Sequence, residues 1–518
     1  MRRVFCVLVA CALIGSAYAE LQNIEVGGNI RIRGRWWHNV LAGQREQRLQ
    51  QNYAPKRPLG QGGVTSVFGF DREDPDLSFV EQRTVVNFKA DFTDDVAAFL
   101  ELESYDRWGD DFRSDYITGV DNRGVTDDDV EFFQAYVDMN DMFGYPLRAR
   151  IGRQELSMGK GWLAGTMTSP TLHISFDGIR LTYDTEDVAV DAWWAKLAEN
   201  SPAEQDSDTD YYGVYGTYKT PEMIDLSAYW LMVRDGVDIN NTQLGIAGEL
   251  LESLLDLDEY DPTYLHTVGV RAWGAYNAID YDLELAYQFG EADAVGALFP
   301  AQSIWGSYAD NDADFDAWAG DLELGYTLDM NWQPRIFVGG CYFEGEDNRD
   351  LSFFEWLNPF HRADASVSFN RLFSQIWYTS ILDILDGAAN FTNMYSGRLG
   401  VSAHPTESVT AGLQALYFGV VEPFDWPPYI RIGDAIAPLS GPLTFWTHEA
   451  DDDIGVVSHV WLKYDYSEDL WVKVGWEHLF AGNAVNEGSF VKLNGTDLLS
   501  GTDDDDADYL YFDTSIAF

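Results

Sequence analysis

Three arginines at alternate positions, Arg31, Arg33 and Arg35, are the first residues whose type and spacing could do chemistry. Residues two apart in an extended strand point to the same face, so this spacing places three guanidinium groups in one row. Ile30 and Ile32 alternate with them and make the opposite face apolar. On the wall of a lumen, such a row of cations could select or orient charged solutes.

The same parity places other charged side chains on the polar face of a predicted strand. The basic ones are Arg83, Arg148, Arg150, Arg180 and Arg271. The acidic ones are Glu101, Glu103, Asp282 and Glu284. Two interpretations stay open. Basic and acidic clusters on opposite walls of a lumen would select or orient charged solutes, whereas charges that pair across strands would only keep the wall rigid and hydrated.

Strands must position these side chains, and an alternation of apolar and polar residues returns about eighteen times along the chain. In 279–290, Leu283 and Leu285 fall on one face, and Asp282 and Glu284 fall on the other. The alternation predicts strands over residues 24–37, 78–92, 95–107, 129–140, 146–157, 174–184, 187–196, 211–219, 223–233, 264–276, 279–290, 315–327, 332–344, 391–404, 408–420, 454–466, 469–480 and 507–518.

The links between these predicted strands alternate between short and long. The short links are tight turns, such as Thr220-Pro221-Glu222 and Ser467-Glu468. The long links are polar and acidic, and cover 38–77, 108–128, 234–263, 291–314, 345–390, 421–453 and 481–506. Short turns that alternate with long loops are typical of bacterial outer-membrane barrels. We therefore predict an all-β fold, a closed antiparallel transmembrane β-barrel of about 18 strands.

Lipid around such a barrel decides which way the charged faces point. An arginine that faces lipid at the bilayer midplane costs about 2–4 kcal/mol, so the arginine rows are expected to face the lumen. Aromatic residues cluster near the predicted strand ends and indicate girdles at the two membrane interfaces, with ordinary core aromatics as the alternative. These residues are Trp36-Trp37, Trp193-Trp194, Tyr211-Tyr212, and Trp471 with Trp476.

The first residues predict the compartment. Two arginines, a short apolar run and the small-x-small site Ala17-Tyr18-Ala19 follow one another, as in a secretory signal peptide. We predict a signal peptide over 1–19, Sec-dependent export to a Gram-negative outer membrane, and one barrel domain over 20–518. The last predicted strand ends on Phe518, and we expect the barrel-assembly machinery to recognise this strand.

The overall charge excludes one class of partner. The chain has 33 Lys and Arg against 85 Asp and Glu, a formal net charge of −52. Such a surface repels nucleic acid, so we expect no nucleic-acid partner. The expected partners are outer-membrane lipid and a charged cargo, and the sequence leaves the oligomeric state open.

Motifs for metal, redox or catalytic chemistry are weak. Asp310-Asn311-Asp312-Ala313-Asp314 has the early spacing of Ca²⁺ ligands, yet Phe315 stands where an EF-hand loop needs glycine. The histidines form no pair four residues apart that would suit zinc. Cys341 is the lone thiol beyond the signal peptide, and no Gly-x-Ser-x-Gly elbow occurs. We predict no enzyme activity, no cofactor and no metal site, with loop Ca²⁺ as the alternative.

One segment carries a family resemblance. Residues 151–159, with the sequence Ile-Gly-Arg-Gln-Glu-Leu-Ser-Met-Gly, resemble the alginate export porin family, and further short segments agree in order along most of the chain. The resemblance implies an eighteen-stranded channel, and the best-understood members pass an anionic uronic-acid polysaccharide through an arginine-lined constriction. The matching positions here are Arg83, Arg153 and Arg180. Alternation from Arg148 and Arg150 instead turns Arg153 outward, unless a bulge intervenes.

Three functions follow as hypotheses. The leading one is a channel that passes anionic saccharides or other charged small solutes through an arginine-bearing lumen. The second is a general or cation-favouring diffusion porin, which the acidic loops favour because they repel a polyanion unless salt or Ca²⁺ screens them. The third, from a different class, is an enzyme on the outer-membrane surface.

Overall fold

The structure is a computed structural model of the chain. It describes residues 21–38, 77–93, 95–108, 130–167, 173–199, 208–220, 223–236, 242–244, 262–291, 301–303, 306–308, 314–345, 366–381, 392–422, 429–432, 435–438, 452–482, 490–491, 498–499 and 506–518. The predicted signal peptide and most of the acidic loop runs, including the Ca²⁺ candidate apart from Asp314, lie outside the described residues.

In the described part of the chain, eighteen antiparallel strands form one closed ring, which confirms the predicted fold class. Each strand pairs with the next along the chain, and the last pairs with the first. In chain order, β1 to β18 cover Asn23–His38, Leu77–Thr93, Val96–Arg107, Glu131–Met139, Leu147–Gln154, Phe176–Asp184, Val188–Ala198, Thr209–Tyr218, Asp225–Asp235, Thr263–Tyr276, Ile279–Glu291, Asp314–Thr327, Arg335–Phe343, Met394–Thr406, Val409–Val420, Asp453–Asp465, Leu470–Ala481 and Ala507–Ala517.

The last strand closes the ring against the first. Arg33 of β1 lies opposite Asp513 of β18. At the end of the seam, the backbone N–H of Phe518 donates to the carbonyl oxygen of Gly28 at 3.0 Å, and the N–H of Gly28 donates back at 2.9 Å. Unpaired backbone groups in lipid cost several kcal/mol each, so this pairing removes the two edges of the sheet.

A few short elements accompany the ring. A 3-10 helix covers Met142–Gly144, and Ser366–Val367 pairs in parallel with the start of β12. Other short strands cover Thr242–Leu244, Ala301–Ser303, Gly306–Tyr308, Tyr429–Ile432, Ala435–Pro438, Phe490–Val491 and Leu498–Leu499. Among the residues that the structure describes, no helix is long and apolar enough to cross a membrane.

Two predicted strands are shorter in the structure for identifiable reasons. The strand expected over 146–157 ends at Gln154, because the chain then leaves the wall and enters the lumen. The strand expected over 332–344 begins at Arg335. Trp332 and Gln333 have positive φ angles of 73° and 42°, which an extended strand does not allow, and they form a turn before β13.

The outer face of the ring is apolar. Large side chains that alternate with the charged rows are exposed on it, among them Val26, Ile151, Val270, Leu285 and Leu399. A soluble protein would bury such residues, whereas a barrel in a bilayer presents them to acyl chains. The charged rows therefore occupy the inner face, as parity predicts.

Adjacent aromatic residues are divided between the two faces. Trp36 is 42% exposed on the outer face, whereas its neighbour Trp37 is 2% exposed on the inner face. Trp194 and Trp193 are divided in the same way, with Trp194 outside. The girdle prediction is therefore wrong for the aromatic residues that lie inside, since successive strand residues point to opposite faces. These residues are Trp37, Trp193, Tyr211 and Trp471.

Two segments outside the strands enter the lumen, and we call them the inner segments. The first covers 155–167 after β5, and the second covers 366–381 between β13 and β14. They bind each other, since the N–H of Gly165 donates to the carbonyl oxygen of Phe373 and the N–H of Phe373 donates to that of Leu163. The apolar core lies between these segments and the inner face, around Trp162 and Phe369.

Candidate functional site: the charged lumen

The seam between β1 and β18 holds the first arginine row. Arg31 binds Asp513 through two hydrogen bonds of 3.0 and 2.6 Å. Arg33 donates to the hydroxyl of Tyr509 at 3.0 Å. Arg35 lies 3.5 Å from a carboxylate oxygen of Glu81, with its guanidinium over the ring of Trp37. All three side chains therefore lie on the inner face.

The neighbouring strands continue this charged surface. Arg83 of β2 pairs with Glu103 at 2.6 Å. Arg150 of β5 binds Asp138 through two hydrogen bonds of 2.8 Å, and Arg180 of β6 donates to Asp191 at 2.8 Å. Arg148 donates to the hydroxyl of Thr182 at 3.4 Å. We call the inner faces of β1, β2, β5 and β6 the basic wall.

The arginines of the basic wall differ in their access to the lumen. Arg33, Arg35 and Arg83 are buried, and each lies over an aromatic ring. The side chains of Arg31, Arg150 and Arg180 keep 23%, 17% and 15% of their surface exposed. The exposed group can meet a solute, whereas the buried group stabilises the wall.

Glu101 and Glu103 occupy the same side of the barrel as the arginines. Glu103 pairs with Arg83, and Glu101 accepts hydrogen bonds from Gln134 at 3.1 Å and from Asn87 at 3.4 Å. The expectation that β3 adds to an opposed acidic cluster is therefore wrong, because β3 is the direct neighbour of β2. Glu103 therefore neutralises Arg83, and Glu101 lies beside the basic wall and not across the lumen from it.

The second acidic group does lie across the lumen. β11 is nine strands from β2 in a ring of eighteen, which is half the circumference. Asp282 binds Arg271 through two hydrogen bonds of 3.0 and 2.6 Å, and Glu284 accepts a hydrogen bond from Tyr229 at 3.1 Å. On these strands lie further inward carboxylates, namely Asp280, Asp321 and Glu323. We call the inner faces of β11 and β12 the acidic wall.

A lysine that sequence parity does not find neutralises the acidic wall. Lys160 lies on the first inner segment, and its ammonium nitrogen is 2.7 Å from Asp321, 3.4 Å from Asp282 and 3.8 Å from Glu284. The chain can enter the wall here because Gly161 adopts a φ of +74°, which favours glycine. Arg335 and Arg398 pair with other carboxylates of the wall.

The second inner segment binds two separate parts of the barrel wall. The hydroxyl of Tyr378 donates to Asp321 at 2.9 Å on β12. Burial is the main cause that holds the pKa of Tyr378 well above its ordinary value, so the hydroxyl stays protonated and remains a donor. The next residues, Thr379 and Ser380, donate to the carboxylate of Glu477 on β17 at 2.8 and 2.9 Å. This segment therefore links β12 to β17 inside the lumen and narrows it.

Arg153 is the one predicted site residue that leaves the lumen. Its guanidinium binds Asp177 through two hydrogen bonds of 2.8 Å, and the side chain of Arg153 is 44% exposed on the outer face. It shares that face with Ile151. Parity is therefore right, and the position implied by the resemblance is wrong, because no register shift separates Arg153 from Arg150 in the pairing with β6.

A sequence comparison decides the family. The family profile named "Alginate export" matches residues 65–494. The chain belongs to this family. A member of the alginate export family with this barrel is an outer-membrane channel, which embeds in lipid and passes small solutes.

Two solved structures match most of the chain. The first is OccAB1 of Acinetobacter baumannii, with 12% identity, a TM-score of 0.49 and coverage of 97% of this chain and 99% of the other. The second is OccK8 (OprE) of Pseudomonas aeruginosa, with 10% identity, a TM-score of 0.48 and coverage of 95% and 98%. No curated protein sequence shows significant similarity to the chain.

In the described residues, no group of three His, Cys, Asp or Glu is placed to hold a metal ion.

Proposed function

We propose that this alginate export family channel passes anionic solutes, sugar acids in particular, along the basic wall. The observation that carries the proposal is the set of guanidinium groups that keep exposed surface on the basic wall, namely those of Arg31, Arg150 and Arg180. Arg148, beside them, has no carboxylate at ion-pair distance in the described ranges. On the acidic wall, Asp321 and Glu284 are buried beneath Lys160, and Asp282, which keeps 27% of its side-chain surface exposed, is paired with Arg271. A solute that passes along the basic wall therefore meets guanidinium groups at contact distance.

The acidic residues of the long predicted loops fit this function when salt is present. At an ionic strength of 0.15 M, charges more than about 8 Å apart are largely screened in water. The loops then act weakly at a distance, whereas guanidinium groups inside a narrow passage act at contact distance. Cleavage after Ala19 and insertion by the barrel-assembly machinery through β18 belong to the same proposal, because both supply this channel to the outer membrane.

The test is the ion selectivity of the purified barrel in a planar bilayer. The reversal potential under a KCl gradient is expected to favour chloride. Changing Arg148→Gln, Arg150→Gln and Arg180→Gln together removes three cations and leaves Asp138 and Asp191 without their partners. The triple variant is therefore expected to favour potassium.

A matched control exists on the outer face of the same strands. Arg153→Gln with Asp177→Asn removes an exposed ion pair without touching the lumen. This control should keep the selectivity of the unchanged barrel. A barrel that favours potassium before any substitution would establish the cation-favouring porin instead, and absence of conductance would refute both channel hypotheses.

A further inference from the structure

Aromatic rings alternate with cations on the inner faces of four adjacent strands, β16, β17, β18 and β1. Lys473 lies over Trp461 and Tyr511, with its nitrogen 5.0 and 5.6 Å from the ring centroids. Both Lys463 and Arg31 lie 5.7 Å from the centroid of Trp471, and Arg33 lies 5.2 Å from that of Tyr511. We call these seven residues the ladder: Arg31, Arg33, Trp461, Lys463, Trp471, Lys473 and Tyr511.

The ladder begins near the end of the barrel that has the short turns. β16 ends at Asp465 and β17 begins at Leu470, so Lys463 and Lys473 lie within a few residues of that turn. Short turns mark the periplasmic side of bacterial outer-membrane barrels. The ladder therefore lies at the periplasmic mouth and leads along β1 towards Arg35, next to the place where Trp37 donates to the carbonyl oxygen of Ser380.

The charges of the ladder call for an anion. Lys463 and Lys473 lie directly opposite each other on neighbouring strands, where like charges repel. Lys463 pairs with Asp465 at 2.6 Å. Lys473 has no carboxylate within ion-pair distance in the described ranges, because Asp513, which lies directly opposite it on β18, pairs with Arg31 and Arg33. A bound carboxylate would relieve this repulsion and give Lys473 a partner.

The rings of the ladder are held flat against the wall. Trp461 lies over Gly412, where an added Cβ would come within 2.4 Å of the indole, and Tyr511 lies over Gly475, where the distance would be 2.3 Å. Glycine at these two positions therefore makes room for the rings. Trp461 and Trp471 are partly exposed, whereas Tyr511 is buried beneath the cations. The two indoles offer faces to a ligand, and Tyr511 supports Arg33 and Lys473.

We infer that the ladder is a binding site for short oligosaccharides of sugar acids at the periplasmic mouth. The inference rests on the proposed function and names its first contact. Indole faces are electron-rich and attract polarised C–H groups, while the ammonium groups beside them bind carboxylates. Trp471 lies opposite Asp465, four residues from Trp461, so the indoles are about 13 Å apart along the strand. A ligand with several rings, each carrying a carboxylate, contacts both.

The experiment measures block of single-channel current by tetragalacturonate, galacturonate and tricarballylate. Tetragalacturonate is expected to bind more tightly than the monomer. Trp461→Leu with Trp471→Leu should weaken its binding roughly tenfold, which corresponds to about 1.4 kcal/mol. The same double variant should leave block by tricarballylate, a carboxylate without a ring, unchanged. Lys473→Met should weaken both.

The controls separate folding, the ladder and the channel function. Trp476→Leu changes a tryptophan of β17 that lies on the outer face and should have no effect. Trp461→Phe with Trp471→Phe should restore part of the binding, and normal conductance without ligand shows that each variant is folded. Unchanged tetragalacturonate block in the leucine variant, or an equal loss for tricarballylate, overturns the ladder site. A barrel that favours potassium and is not blocked at all refutes the proposed function itself.

Discussion

The two charged walls of the lumen contain the same residue types but differ in where their ion-pair partners come from. On the basic wall, arginines pair with carboxylates of the same or neighbouring strands, as Arg150 does with Asp138. On the acidic wall, the cation that three carboxylates share is Lys160, which comes from an inner segment. A pair within the wall leaves the passage free beside it. A partner from an inner segment covers the carboxylates nearest to it, so that Asp321 and Glu284 keep only 4% and 5% of their side-chain surface exposed, whereas Asp282 keeps 27%.

The largest effect on conductance and selectivity is expected when Lys160 is replaced, because it is the cation that comes from an inner segment. Lys160→Met removes the cation that the buried Asp321 and Glu284 share, and leaves them the longer contacts to Arg398 at 3.7 Å and Arg271 at 3.8 Å. Loss of one partner from a buried ion pair costs about 3–5 kcal/mol, and the remaining contacts offset part of this cost. We expect the inner segments to leave the acidic wall, with a larger single-channel conductance and a reversal potential shifted towards potassium.

Lys160→Arg serves as the control, since it keeps the positive charge and should keep the selectivity. If Lys160→Met conducts like the unchanged barrel and keeps its selectivity, other contacts hold the inner segments against the acidic wall, and Lys160 is not required for this.

The second largest effect is expected at β17, the other strand that the second inner segment binds. Glu477→Gln replaces a carboxylate that accepts from Thr379 and Ser380. Hydrogen bonds to a charged group contribute about 1.5–3 kcal/mol, roughly twice a neutral one. The segment should detach part of the time, which protease cleavage within 366–381 would report.

The single-channel conductance should rise less in Glu477→Gln than in Lys160→Met. The reason is that Glu477→Gln weakens the contacts with β17 only, and Tyr378 still binds Asp321 on β12. Trp476→Leu, on the outer face of the same strand, should keep the protease resistance of the unchanged barrel. Equal protease resistance of Glu477→Gln and the unchanged barrel would mean that the segment is held by the acidic wall alone.

The barrel follows from the sequence because strand parity is a local property. A period of two places Arg31, Arg33 and Arg35 on one face without any knowledge of their neighbours. The same rule, applied strictly, also separates Trp36 from Trp37, and the girdle prediction failed where it grouped such pairs. Arg153 shows that parity was the better guide than the family resemblance.

The pairing of charges across the lumen could not be predicted from strand parity. Lys160 meets Asp282 and Asp321 across 122 and 161 residues of chain. No alternation relates them, because Lys160 lies beyond the end of β5. The signal that could have found it is the pair Gly159 and Gly161 on either side of the lysine, since two glycines with positive φ allow a tight reversal into the lumen.

A smaller effect is expected when the second inner segment loses one hydrogen bond to β12. Tyr378→Phe removes the hydrogen bond to Asp321 but leaves Lys160 on the same carboxylate. A neutral hydrogen bond contributes about 0.5–1.5 kcal/mol, and a charged acceptor raises this modestly. The thermal unfolding midpoint should fall slightly while selectivity stays the same. A shift of selectivity as large as that of Lys160→Met would show that Tyr378, and not Lys160, keeps the acidic wall covered.

The smallest effect on stability, and the sharpest test of the comparison, is expected at Arg148. Within the ranges that the structure describes, it has no carboxylate at ion-pair distance and donates to the hydroxyl of Thr182 at 3.4 Å. Arg148→Gln therefore breaks no ion pair, and the unfolding midpoint should stay the same. The charge it removes is not neutralised by a partner, so chloride selectivity should fall measurably.

Arg83→Gln is the opposite case, because Arg83 is buried and paired with Glu103. It should lower the unfolding midpoint more than the selectivity. If the two variants change selectivity equally, access to the lumen does not distinguish the arginines of the basic wall.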